Sequence, residues 1–181
     1  MKLLRMTAAQ TRRLCFIIAE KMRNDGFYPE LIVSPLRGGA IIGRFLSDIL
    51  GQPKMATIAC EFYTGINETA DKPRITQRLS IPVEGKVVLL ADDVSDRGDT
   101  LQACYRHIKR RKPELLKTAV LFVKPWSKFI PDYYATKTDK WIVFLGEEYE
   151  TIRKLHEKND TETLREYFTE KEIREALKFR K

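Results

Sequence analysis

The chain predicts an α/β fold, a mostly parallel sheet flanked by helices, and three observations carry that prediction. Apolar runs of strand length alternate with segments whose apolar residues recur at helical spacing. The pentad Val87 to Ala91 is apolar throughout, as a strand buried on both faces of a parallel sheet requires. The strongest turn formers fall between these segments, and no internal repeat interrupts the alternation.

The elements follow in order. Thr7-Ala8-Ala9-Gln10 fits a capping box, and Leu14, Ile17, Ile18 and Met22 continue at helical spacing until Gly26. Leu31 to Ser34 reads as a short strand, Gly39 to Leu50 as a helix closed by Gly51, and Met55 to Tyr63 as another strand. From 64 to 80 the periodicity vanishes among polar residues, an excursion of the length expected of a flexible lid loop. Strand 87–91, a helix over 100–111 and a strand over 118–123 come next, then a strand at 141–145. A helical tail closes the chain, with a second capping box at Thr169 to Glu172.

Composition bounds the function. The chain has 181 residues, 43% hydrophobic and 32% charged, which suits a compact folded chain with a substantial core. No apolar run reaches the roughly 20 residues of a membrane span, and no secretory h-region opens the chain. Cys15, Cys60 and Cys104 are isolated and odd in number, which points to a reducing cytoplasm rather than a disulfide framework, and with only His107 and His156 a zinc site is poorly supplied. The formal charge of +8 is dispersed. Its densest cluster, Arg106, Lys109, Arg110, Arg111 and Lys112, ends a helix, where cations complement the dipole as a solvated face rather than a nucleic-acid surface.

The chemistry concentrates in two strand-to-helix turns. In the first, Asp92 and Asp93 close the buried strand, where open α/β sheets place their ligands, and Ser95 to Asp99 turns into a helix whose N–H groups converge on an anion. This pattern suits a sugar phosphate. Carboxylates accept from vicinal hydroxyls and hold a hard cation such as Mg²⁺ through oxygen. Gly98 allows a close phosphate cradle, Thr100 adds a hydroxyl and Arg97 a charged fork. In the second turn, Leu36-Arg37-Gly38-Gly39 again suits an anion, with glycines that let amides face a ligand and an arginine for phosphate oxygens. Gly38 and Gly43 mimic a Walker A loop, but Arg44-Phe45 stands where Lys and Ser/Thr are needed, and no GxGxxG occurs.

The run 87–101 resembles the phosphoribosyl-diphosphate (PRPP) signature of type I phosphoribosyltransferases: an apolar strand, two acidic residues, two mostly apolar ones, then Asp, Thr, Gly, a variable residue and Thr. Asp92, Asp93, Asp96, Gly98 and Thr100 match; Arg97 stands where Thr is usual, and Asp99 holds the variable position, where an anion weakens phosphate binding unless Arg97 or the helix dipole offsets it. The segment 119–125, followed by Pro131-Asp132-Tyr133-Tyr134 and Trp141-Ile142, resembles the base-binding part of the 6-oxopurine members, most closely the bacterial xanthine-guanine enzymes.

The resemblance covers about 30–147 and implies a core domain at 1–148, with the lid at 64–80, and a helical extension at 149–181 that packs on the core or on a neighbouring subunit. It implies Mg²⁺-dependent purine salvage: phosphoribose passes from PRPP to N9 of guanine, hypoxanthine or xanthine, giving the nucleoside 5′-monophosphate and pyrophosphate. The implied roles place Asp92 and Asp93 on the ribose and metal, and Asp96 to Thr100 around the 5′-phosphate. Leu36, Arg37 and Gly38 take the pyrophosphate, Asp96 serves as the catalytic group at purine N7, and Lys124, Trp141 and Ile142 bind the base. Glu147 or Glu148 is a further carboxylate for metal and pyrophosphate, and Lys72, Arg74 and Arg78 belong to the closing lid. A cytoplasmic homodimer or homotetramer, with no nucleic-acid or membrane partner, is the expected assembly. Two alternatives share the phosphate loops: a transferase for adenine or another base, and a non-catalytic regulator that senses PRPP or a nucleotide.

Overall fold

The computed structural model describes residues 2–51, 54–63 and 72–179. They fall into two compact units, Thr11–Thr138 and a smaller one made of Met1–Gln10 with Asp139–Lys181.

The larger unit is built on a six-stranded sheet. Its strands are β2 (Leu31–Leu36), β3 (Met55–Tyr63), β4 (Lys72–Gln77), β5 (Val87–Ser95), β6 (Leu115–Val123) and β7 (Tyr133–Lys137). They lie in the order β4-β3-β2-β5-β6-β7, parallel except for the antiparallel edge pair β3–β4. The predicted α/β class is therefore the observed one. The central strand β5 is buried on both faces from Val88 to Ala91, which explains its unbroken apolar run. Alternation sends Leu31, Val33, Val88 and Leu90 into one core cluster with Leu101, Cys104 and Ile108 of helix α3 (Asp99–Lys109). Ile32, Leu89 and Leu121 occupy the alternate positions and are fully buried as well. Helix α1 (Ala8–Asn24) opens on the expected capping box: Gln10 N donates to Thr7 Oγ1 at 3.2 Å, and Thr7 N donates to Gln10 Oε1 at 2.9 Å. Helix α2 (Gly38–Ile49) follows β2 directly.

The expected lid at 64–80 is described only in part, since 64–71 lie outside the described residues. Where no strand was expected, Lys72–Gln77 forms β4. Helical and two-residue periods both fail there because this is an edge strand: Pro73 is tolerated, and Ile75 is the apolar residue packed against the core cluster. Strand β7 escaped prediction for a related reason, since its Tyr-Tyr-Ala-Thr-Lys run mixes buried and exposed positions without a clean alternation.

The smaller unit pairs β1 (Leu3–Arg5) in parallel with β8 (Trp141–Val143). Helices α4 (Glu148–Glu157), α5 (Thr161–Tyr167) and α6 (Glu170–Lys178) surround a core of Leu3, Val143, Ile152, Leu155, Leu164, Phe168 and Ala176. Glu172 ties this unit together. Its carboxylate accepts from Arg5 Nη2 at 2.6 Å and from Thr169 N at 2.7 Å, completing the predicted capping box of α6. Arg5 also donates to Tyr167 O at 2.7 Å and lies over the Phe168 ring.

The hydrogen bonds from Arg5, and then from the Thr169 amide, hold the Glu172 carboxyl down from 4.5 to about 2. A depressed carboxyl stabilises the fold above its unfolded value, and that contribution disappears as pH falls toward 2. Glu172→Gln is expected to cost about 1 kcal/mol at pH 7, a figure kept small by partial exposure, and to flatten the pH dependence of stability between 4.5 and 2. Urea denaturation across that range checks both effects.

Candidate active site

The site forms where two strand-to-helix turns meet at the carboxyl ends of β2 and β5, the place open parallel sheets reserve for ligands. Gly38 and Gly39 begin α2, and Asp92 and Asp93 lie near the end of β5. A Cβ on Gly38 would overlap the carboxylate of Asp93; one on Gly39 would come within 2.8 Å of Asp92 Oδ1 and 2.9 Å of Ala91 O. The helix start therefore rests directly on the acidic pair, an approach only glycine permits. The peptide between Leu36 and Arg37 is cis.

The pair is almost fully buried, Asp92 at 8% exposure and Asp93 at 9%. Each carboxylate accepts from the next backbone amide, Asp93 N to Asp92 Oδ1 at 2.9 Å and Val94 N to Asp93 Oδ1 at 2.6 Å. The strand runs on to Ser95, past the expected end at the acidic pair, so the acids sit inside its last turn of pleat.

Helix α3 starts at the second turn. Gly98, its N-cap, has φ +89°, and a Cβ there would lie 2.5 Å from Phe129 Cβ. Neither α2 nor α3 has a side-chain N-cap hydrogen bond, so the first amides of both helices are left to other acceptors. Arg97 Nε donates to Asp99 Oδ2 at 3.1 Å, so the two residues that depart from the signature neutralise one another. Leu36, Gly38, Asp92, Asp93 and every residue from Asp96 to Thr100 line one cavity of about 550 Å³, the size of a small-ligand site.

Several of the expected site residues are not part of that lining. Arg37 is exposed at the N-cap of α2 and does not line the cavity. Lys124, 7% exposed, follows the last residue of β6, and its amide donates to Ser95 O at 3.0 Å. Trp141 and Ile142 belong to β8 of the smaller unit, where Trp141 is 49% exposed and Ile142 is buried. Glu147 caps α4 in that unit, and Glu148 Oε2 accepts from Gly146 N at 2.8 Å.

Sequence reasoning missed two contributors. Cys60, treated as isolated, lines the cavity from β3 and is hydrogen-bonded to Cys104 of α3. That bond pulls the Cys60 thiol below its usual range, whereas the same bond and burial push the Cys104 thiol up. The two lie 44 positions apart on neighbouring elements, and spacing alone carries no signal for such a pair. Trp126 is the second: its Nε1 donates to Asp96 Oδ1 at 2.7 Å. The available signal was an aromatic donor two positions beyond Lys124 in a polar loop.

A parallel sheet with two glycine-bearing helix starts over paired carboxylates defines an α/β protein with a cavity at the carboxyl ends of its strands. The chain belongs to the phosphoribosyltransferase family: the family described as phosphoribosyl transferase domain matches residues 7–151. Its relatives are purine enzymes. It is 33% identical over 102 residues to the hypoxanthine-guanine phosphoribosyltransferase of Leishmania donovani, covering 54% of this chain and 48% of that protein. It is 28% identical over 115 residues to the xanthine-guanine phosphoribosyltransferase of Gluconobacter oxydans, covering 62% and 66%. The chain thus spans about half to two thirds of the length of these curated relatives. The structure superposes on the purine phosphoribosyltransferase of Pyrococcus horikoshii with a TM-score of 0.72 at 37% identity, over 80% of this chain and 93% of that one. The resemblance to 6-oxopurine phosphoribosyltransferases read from the motifs agrees with all three.

The close approach at Gly39 has a direct consequence for folding. Gly39→Ala is expected to destabilise the larger unit by about 1–3 kcal/mol, because its Cβ meets the backbone carbonyl of Ala91 as well as Asp92. Equilibrium denaturation monitored by circular dichroism measures this.

Proposed function

We propose that the chain transfers phosphoribose from PRPP to N9 of a 6-oxopurine, releasing pyrophosphate and the nucleoside 5′-monophosphate, a reaction of purine salvage. The observation that carries this reading is the meeting of the acidic pair, the glycine start of α2 and the uncapped start of α3 in one cavity. Such a cavity offers acceptors for ribose hydroxyls between two groups of amide donors for phosphates.

Asp92 and Asp93 accept from the ribose hydroxyls. Gly98 and Thr100, at the start of α3, receive the 5′-phosphate, with Arg97 exchanging its Asp99 partner for a phosphate oxygen. The amides after Leu36 and Arg37 take the pyrophosphate. The donor set fits Mg²⁺: two hard carboxylates stand side by side in the cavity, and substrate oxygens would complete the coordination of a hard cation there. When bound, the ion supplies positive charge to the departing diphosphate.

As the C1–oxygen bond breaks, N9 of the purine forms the new bond to C1, and the proton the ring must lose passes to Asp96 from N7. The Lys124 ammonium donates to O6, a contact the amino group of adenine cannot accept.

A pyrophosphate-release assay with PRPP and Mg²⁺ compares guanine, hypoxanthine, xanthine and adenine. Turnover with one or more oxopurines, and little with adenine, is the expected result. Adenine as the sole good acceptor would overturn the base assignment, and no turnover with any base would favour a sensing regulator. Asp96→Asn is expected to lower turnover by roughly 10²-fold or more while PRPP binding persists; steady-state kinetics paired with PRPP titration separates the two effects.

A further inference from the structure

Trp126 has no part in the reading above, yet it joins two of its residues. Its indole Nε1 donates to Asp96 Oδ1 at 2.7 Å, and Lys124 Nζ lies 5.5 Å from its ring centroid. The side chain is 52% exposed, so burial of its large apolar surface does not explain its place.

The loop that carries it is laced to the loop that carries Asp96. Lys124 N donates to Ser95 O at 3.0 Å on one side of the tryptophan, and Lys128 N donates to Arg97 O at 3.1 Å on the other. Ser95 Oγ donates to Phe129 O at 2.8 Å and lies 2.9 Å from Ser127 Oγ. Residues on both sides of Trp126 are therefore pinned to the residues on both sides of Asp96. The indole–carboxylate contact lies between these anchors, held by main chain on either flank.

Resting on the transferase reading, we propose that Trp126 is a positioning residue that orients the Asp96 carboxylate toward the base and covers the Lys124 ammonium. An indole N–H is a donor only, so it engages one carboxylate oxygen without competing for the proton to be moved. Among the described residues Oδ2 has no hydrogen-bond partner, which leaves it to accept from the purine. Asp96 itself is exposed on a turn, and an unheld carboxylate there samples several rotamers. Holding it in one geometry is the kind of contribution that appears in turnover rather than in substrate affinity. The ring face over Lys124 adds a cation–π contact that keeps the second polar reader of the base in place.

Trp126→Phe keeps the ring and removes the donor. The expected result is a kcat lowered by roughly tenfold, the scale of one hydrogen bond to a charged group, with the KM for the oxopurine changed by less than about twofold. A variant that left kcat unchanged, or raised KM alone, would overturn the proposal. A second measurement is independent of turnover: in a ¹H–¹⁵N spectrum of the indole groups, Asp96→Asn is expected to move the Trp126 resonance and leave that of Trp141 in place. A Trp126 resonance indifferent to Asp96→Asn would overturn the proposal. If the wild-type chain turned over no base, the transferase reading would fall on that result, and the indole resonance alone would decide whether Trp126 holds Asp96.

Discussion

The carboxylates of Asp92 and Asp93 occupy the space that side chains at 38 and 39 would fill. Much of the site depends on this approach. Two adjacent acids held below a tenth exposure are costly to desolvate, and they are held by the amides that follow them and by the positive end of α2 set against them. In return, the same geometry draws the amides of the 36–39 turn and the acids of β5 into one cavity. The glycines and the aspartates are parts of a single device, although they stand more than 50 positions apart.

The second half of the device uses a different solution. Helix α3 starts at Gly98, whose positive φ and contact with Phe129 leave room for no side chain, and its amides have no side-chain cap. The Arg97–Asp99 pair lies across this opening. An acid beside a phosphate would repel it, and an arginine already bonded to that acid limits the penalty while keeping a cation in reach. The unusual residues of the signature thus act on each other before they act on any ligand.

Legibility followed physical range. The buried strand β5, the capping boxes at Thr7 and Thr169 and both glycine-bearing strand-to-helix turns could be read from the residues because each is a local pattern: an apolar run, a three-residue reciprocal hydrogen bond, a glycine between strand and helix. The edge strand β4 could not, since its stability comes from pairing with β3 rather than from its own period. The contact of Cys60 with Cys104 and that of Trp126 with Asp96 were equally hidden, because both arise from elements brought together by the sheet. The extension of β5 through Ser95 was missed for the opposite reason: Asp-Asp reads as the end of a strand, and here the pair is retained within it by the register Asp92 with Val120 and Val94 with Phe122.

The central claim is that the Gly38–Asp93 approach creates the PRPP site. Calorimetric titration of PRPP with Mg²⁺ into the wild-type chain and into Gly38→Ala tests it most directly, with circular dichroism verifying that both are folded. A Cβ at 38 must push the Asp93 carboxylate aside, so the account predicts Mg²⁺-dependent binding to the wild type and at least about tenfold weaker binding to the variant. A folded Gly38→Ala chain that bound PRPP as tightly as the wild type would contradict it.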